Sequence, residues 1–161
     1  MSGAMSGGLR LRACDGDDLK VISAMMQDSI IPICDVAFLA EERLFVLIAN
    51  RFRWERGEGR GRPAAGPNPD QPSPYERTNT ALRFRGVDKV STRGIDLHDR
   101  TLMLSLLAIE QGPDGVLLHF AGGGSIRLAA GARDCCLEDL GEPWPTGLRP
   151  CHEGLDEIAA E

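Results

Sequence analysis

Arg43-Leu-Phe-Val-Leu-Ile-Ala-Asn-Arg-Phe-Arg-Trp54 is the stretch on which the fold turns. Its residues fit the period of two of an extended strand, in which successive side chains point to opposite faces of a sheet. One row holds Leu44, Val46, Ile48, Asn50, Phe52 and Trp54, and reads as the core face. The other holds Phe45, Leu47 and Ala49 before switching to Arg51 and Arg53. The strand is expected to begin buried on both faces and to end with one apolar and one cationic face. Asn50 lies on the expected core row, where an unpartnered amide costs about 1–3 kcal/mol. A clamp across neighbouring strands is its expected role.

Upstream, Leu9-Arg10-Leu11-Arg12 alternates as a first strand. Asp15 then stands at an N-cap position, with Asp17 and Asp18 in the first helical turn, where negative charge suits the helix dipole. Leu19, Ile22 and Met26 follow at helical spacing and predict a helix over about 16–28. Ile30 to Leu39 is apolar and β-branched, with Pro32 marking an edge or a strand start. Segments 30–40 and 43–54 read as an antiparallel hairpin.

Downstream, residues 55–76 are crowded with glycine and proline and hold almost nothing to bury. They predict a disordered loop between two strands. In the next strand Thr80, Leu82 and Phe84 alternate with Arg83 and Arg85. A short strand is expected within Val87 to Ile95, closed by Gly94. Thr101 to Glu110 is nearly continuous in apolar residues, as a central strand covered on both faces would be. Gly112-Pro113-Asp114-Gly115 is a turn signal leading into Val116–Ala121, and Gly122-Gly123-Gly124 turns that strand into Ser125–Ala130. Asp134 to Leu140 reads as a short closing helix stopped by Gly141. One internal echo exists: Leu9-Arg-Leu-Arg-Ala-Cys-Asp15 shares the pattern L-R-x-R-x-x-D with Leu82-Arg-Phe-Arg-Gly-Val-Asp88. It does not extend beyond seven residues, and coincidence is the simpler account.

A chain of 161 residues suits one domain, and 42% apolar with 26% charged residues excludes wholesale disorder. The expected organisation is a flexible segment 1–8, one domain over 9–152 and a tail over 153–161. No stretch approaches the roughly 20 apolar residues of a membrane helix, and no secretory signal opens the sequence. The five cysteines, at 14, 34, 135, 136 and 151, have no framework spacing, so a reduced cytoplasmic setting is expected. The net charge of −6 is uneven. Residues 51–100 hold 11 basic and 7 acidic side chains, whereas residues 101–161 hold 3 and 10.

That middle third supplies the candidate binding residues. Arg51 and Arg53 on one strand, with Arg83 and Arg85 on a strand that can pair with it, would set four guanidiniums on one face, suited to phosphate or carboxylate. Asn50 adjoins them. A protein or small anionic ligand is the expected partner, with self-association a further option. The face lacks the exposed aromatics with which RNA-binding sheets stack bases, which argues against nucleic acid. No cofactor is implied. The other polar constellation is Asp96-Leu-His98-Asp99, which has the polarity of a metal site but no recognised ligand spacing. Cys135-Cys136 with Cys151-His152 is a poor zinc set, because adjacent cysteines diverge. His119, between Leu118 and Phe120, reads as a hydrogen-bonded structural histidine.

Several segments carry a resemblance: Asp18-Leu19, Val21–Ala24, Gln27-Asp28, Asn50–Phe52 with Trp54-Glu55, Arg93–Asp96, Leu104–Ala108, Gly122–Gly124, and Asp139–Gly141 with Trp144. Through them the chain from Leu9 to about His152 resembles a family of small alphaproteobacterial proteins catalogued as a domain of unknown function. The resemblance implies no activity and no catalytic residues. The expected fold is therefore the one read from the residues: α+β, about seven mostly antiparallel strands, a helix after the first strand and a short helix after the last. That element order is similar to a PH-like barrel. The expected function is a non-enzymatic binding or assembly module using a basic sheet face. The alternative is a small enzyme or a metal-binding protein using the Asp96-His98-Asp99 turn.

Overall fold

The computed structural model describes residues 8–55, 75–129 and 134–146. Within them the chain forms ten strands and one α-helix. The first strand, β1 (Arg10–Ala13), is followed by α1 (Gly16–Met26), then β2 (Ile30–Pro32), β3 (Val36–Leu39), β4 (Leu44–Phe52) and β5 (Tyr75–Arg85). After these come β6 (Lys89–Arg93), β7 (Met103–Gly112), β8 (Gly115–Phe120), β9 (Ser125–Ala129) and β10 (Asp134–Thr146). All pairings are antiparallel, in the order β1-β10-β5-β4-β2-β7-β8-β9-β6. A single 3₁₀ turn at Ile33–Asp35 separates β2 from β3, so the expected strand over 30–40 is split, and β3 pairs with β4 beyond the point where β2 leaves it.

Three expectations change. There are ten strands rather than seven. The segment from Asp134 is no closing helix but the long strand β10, inserted between β1 and β5. Among the described residues the sheet is also not closed into a barrel, and β1 and β6 stand at its two ends. Residues 134–140 carry Cys135, Leu137 and Asp139 on one row, and partner strands on both sides favour that period over the helical one. The glycine- and proline-rich stretch falls almost wholly outside the described residues, as do Cys151, His152 and the tail.

The helix begins where Asp15 accepts a hydrogen bond from the Asp18 N–H at 2.8 Å, and it buries Leu19, Ile22 and Met26. It packs on β7 and also on β1 and β4. Strands so far apart in the sheet order can share one helix only if the sheet curls around it. β7 is paired by β2 only as far as Ser105. Beyond that point the helix end covers the edge: Leu106 N–H donates to the Ser29 carbonyl at 2.9 Å and Ile109 N–H to Ser23 Oγ at 2.9 Å. A β-bulge between Leu106 and Ala108 lies within this stretch. One continuous core results, in which Phe45, Leu47, Leu82 and Phe84 meet Leu106, Leu118, Ile126 and Leu128. β7 is covered on one face only, contrary to expectation, with Met103 62% exposed.

Candidate functional site

The strand β4 has its faces reversed relative to the expectation. Its core row is Phe45, Leu47, Ala49 and Arg51, whereas Leu44, Val46, Ile48 and Asn50 are half-buried on the outer face. Phe52 shares the outer row but is covered by Trp54, Tyr75 and Arg77. Both rows are apolar through Ala49, and alternation alone cannot say which faces the core. Arginines in an alternating row mark the solvent face by their charge, yet Arg51 and Arg53 are buried.

Arg51 is fully buried. Its Nε and Nη2 donate to the Asp139 carboxylate at 2.8 and 2.7 Å, and its Nη1 and Nη2 to Glu55 at 3.1 and 2.8 Å. Nη1 also reaches the Phe52 carbonyl. Asp139, whose side chain is 3% exposed, accepts the Leu9 N–H as well. Burial alone would lower the Arg51 pKa and raise that of Asp139. Their mutual hydrogen bonds outweigh it, so the guanidinium is held above its ordinary value and the carboxyl below its own. Glu55 is held down for the same reason, against burial. Arg53 is buried too and pairs with Glu76 at 2.6 Å. Arg51 and Arg53 are therefore not an open cationic face. Arg51 is a clamp tying β4, β10 and the start of β1. Asn50, expected to clamp strands, leaves its buried Oδ1 without a hydrogen-bond partner.

Arg83 and Arg85 lie on the opposite side of the sheet. In the register Val46 faces Arg83 and Leu44 faces Arg85, so both point outward with the exposed row of β4, while Arg51 faces Thr78 on the inner side. They are joined there by two residues left out of the candidate set, Arg10 and Arg12 of β1. Arg12 and Arg83 both stand opposite Cys136 on β10, Arg10 stands opposite Glu138, and Arg85 opposite Asp134. The two copies of Leu-Arg-x-Arg thus flank the same strand and run in the same direction. The signal was in the sequence as the internal echo, but only the insertion of β10 gives it meaning. Arg12 makes a two-pronged contact with Asp134, 3.1 Å at each oxygen, which raises its pKa. Arg83 reaches Glu138 at 3.2 Å and Arg10 lies 3.9 Å from it. Arg85 is exposed and forms no ion pair among the described residues. Three guanidiniums thus share two carboxylates, and Arg85 stands beside them.

The Asp96–Asp99 turn is exposed and its carboxylates are engaged in turn structure. Asp96 accepts the His98 backbone N–H at 3.0 Å, and Asp99 accepts both the N–H and the hydroxyl of Thr101, which lowers its pKa. Among the described residues no group of three or more His, Cys, Asp or Glu side chains is placed to hold a metal. Cys135 is buried, which pushes its thiol up, and Cys136 points the other way. His119 bonds Glu110 at 2.9 Å. It lines a cleft of 660 Å³ with Asp17, Lys20, Gln111 and the floor residues Leu19 and Ile109, at the start of α1. No sequence motif announced this cleft, because its walls come from three elements, α1, β7 and β8, the first over 80 residues from the other two.

Gln27, Asn50–Phe52, Trp54, Glu55, Asp139 and Trp144 gather at one end of the sheet, where Trp54 Nε1 donates to the Gln27 carbonyl and Trp144 lies opposite Arg77. They are among the segments that carried the resemblance, and the family model described as "Protein of unknown function (DUF2948)" matches residues 9–152. The chain belongs to that family. No curated protein and no solved structure matches it. Family membership therefore comes with no assigned chemistry, and the residues themselves must supply the functional argument. No helix among the described residues is long and apolar enough to cross a membrane.

Proposed function

We propose that the chain is a non-enzymatic binding or assembly module whose contact surface is the outer face of β1, β10, β5 and β4. The observation that carries this is the arginine quartet: Arg10, Arg12, Arg83 and Arg85 project from one face with only Glu138 and Asp134 between them. The helix packs on the other side, and Leu44, Val46 and Ile48 remain half-exposed beside the arginines. A basic surface next to an apolar strip suits a partner that is anionic with some apolar content. Arg51 and Arg53 do not belong to this surface; their charges are spent inside.

Support for an enzymatic reading is thinner. Asp96 and Asp99 serve their own turn, and among the described residues the His98 side chain has no hydrogen-bond partner that would orient it as a base. Charge reversal separates the two ideas. An R83E/R85E variant should lose a partner recovered with the wild-type chain by affinity capture from cells of origin, and R127E on the far strand β9 should retain it. The gap between wild type and R83E/R85E should be widest at low salt and narrow as salt rises, since the attraction acts through exposed charges. Identical recovery by all three proteins would remove this surface from consideration.

A further inference from the structure

The arginine quartet has a geometry that narrows the anion it suits. β1 and β5 are separated by one strand, so their backbones lie about 10 Å apart, and Arg83 and Arg85 stand about 7 Å apart along β5. Arg12 and Arg83 occupy the same row on either side of Cys136. Cys136 is half-buried at the centre, a spot that holds no carboxylate; the guanidiniums of Arg12 and Arg83 flank it and lean to opposite sides, onto Asp134 and Glu138. The carboxylates sit one step to either side, Asp134 with Arg12 and Glu138 with Arg83 and Arg10. Against two carboxylates the four arginines leave a surplus of two positive charges. Guanidinium forks match tetrahedral oxyanions through paired N–H donors. Among the described residues the buried Nε of Arg83 makes no hydrogen bond, and Arg85 makes no ion pair.

We propose that the outer face of β1, β10 and β5 binds a phosphate monoester dianion over Cys136, held by Arg12 and Arg83 with Arg10 and Arg85 beside it. This rests on the reading of that face as the contact surface and names its ligand chemistry. The surface pairs to Asp134 and Glu138 are partly exposed, and such pairs contribute little, so an incoming dianion displaces them at small cost. A single carboxylate would satisfy half of the charge surplus. A phosphate at pH 7 carries about two charges and three acceptor oxygens, enough for both central guanidiniums at once.

Cys136 supplies the reporter. The full-length reduced protein is labelled with N-ethylmaleimide at constant ionic strength, and each cysteine's rate is followed by peptide mass spectrometry. Inorganic phosphate should slow labelling of Cys136 while leaving exposed Cys34 unchanged, and Cys135, buried in the core, should stay unlabelled throughout as a check that each variant is folded. R12Q and R83Q should each raise the half-protecting concentration about tenfold, the loss of one charge-assisted contact, and R127Q should not. A phosphoserine peptide that protects at lower concentration than phosphate identifies a phosphorylated protein as the source, and equal potency identifies a small phosphate. If Cys136 reacts at the same rate with and without phosphate, or if R12Q and R83Q leave the protection intact, the dianion site is overturned. An unphosphorylated acidic peptide that protects Cys136 where phosphate does not would overturn it too, while leaving the contact surface standing.

Discussion

Asp139→Asn isolates the buried contact between β10 and the Arg51 guanidinium. The substitution is nearly isosteric but removes the charge that faces a guanidinium with no exposed surface. Arg51 would keep Glu55 and the Phe52 carbonyl, but the amide offers one acceptor oxygen where Asp139 offers two, so one of the hydrogen bonds of 2.8 and 2.7 Å is lost. The other loss is at Leu9, whose N–H is accepted by Asp139 at 2.8 Å. Breaking a buried pair by removing one partner costs about 3–5 kcal/mol, because the remaining charge is left without compensation. Glu55 retains part of that compensation, so the lower end, about 3 kcal/mol, is expected. With a urea m-value of about 2 kcal/mol/M, the midpoint should fall by about 1.5 M with m unchanged. The pH dependence gives an independent reading of the same contact. The Asp139 and Glu55 carboxyls have folded-state pKa values below their ordinary ones. Their stabilisation is present above about pH 4 and is lost as pH falls through the depressed values. D139N should therefore flatten the acid limb of the stability curve. Replacing both partners, Arg51→Met with Asp139→Leu, should recover most of the loss, since an apolar pair leaves no stranded charge. A D139N midpoint within about 0.3 M of wild type, equivalent to under about 1 kcal/mol, would refute the assignment of Arg51 as a buried clamp.

Three further outcomes follow from the geometry. Asp15→Ala should cost about 1 kcal/mol in urea unfolding, because it removes the acceptor for the Asp18 N–H at the start of α1. Gly124→Ala should be more damaging than its position in a glycine run suggests: a Cβ there would sit 2.9 Å from Ile95 Cγ1 and 3.2 Å from the Gly94 carbonyl oxygen. A loss of about 1–3 kcal/mol is expected, whereas at Gly122 and Gly123 a Cβ meets nothing and only the left-handed backbone, φ 89° and 94°, opposes it. His98→Ala should leave the melting temperature unchanged within about 0.5 kcal/mol of stability, as the Asp96 contact uses the backbone N–H of residue 98 and survives the substitution; a larger loss would show that the imidazole has a partner.

Local chemistry was legible wherever it acts within a few residues. The Asp15 cap, the Leu19–Ile22–Met26 stripe and the turns at Gly112–Gly115 and Gly122–Gly124 depend on neighbours in sequence, and each is present. The candidate site was legible only in part. Arg83 and Arg85 point outward, but they do so with Arg10 and Arg12 rather than with Arg51 and Arg53. An arginine in an alternating row looks the same whether its counter-charge is water or a carboxylate 88 residues away.

From the sequence alone came the family, the antiparallel strands with an early helix, and the existence of an arginine-bearing surface. Only the tertiary structure decided which row of Arg43–Trp54 faces the core. Burying the Phe45 row also buries Arg51, and that is tolerable because β10 places Asp139, and the turn just after β4 places Glu55, within hydrogen-bonding distance of its guanidinium. The same insertion of β10 between β1 and β5 turned a seven-residue echo into four arginines on one face. The physical reason is that period and charge are properties of a segment, whereas burial of a charge depends on what another segment brings to it.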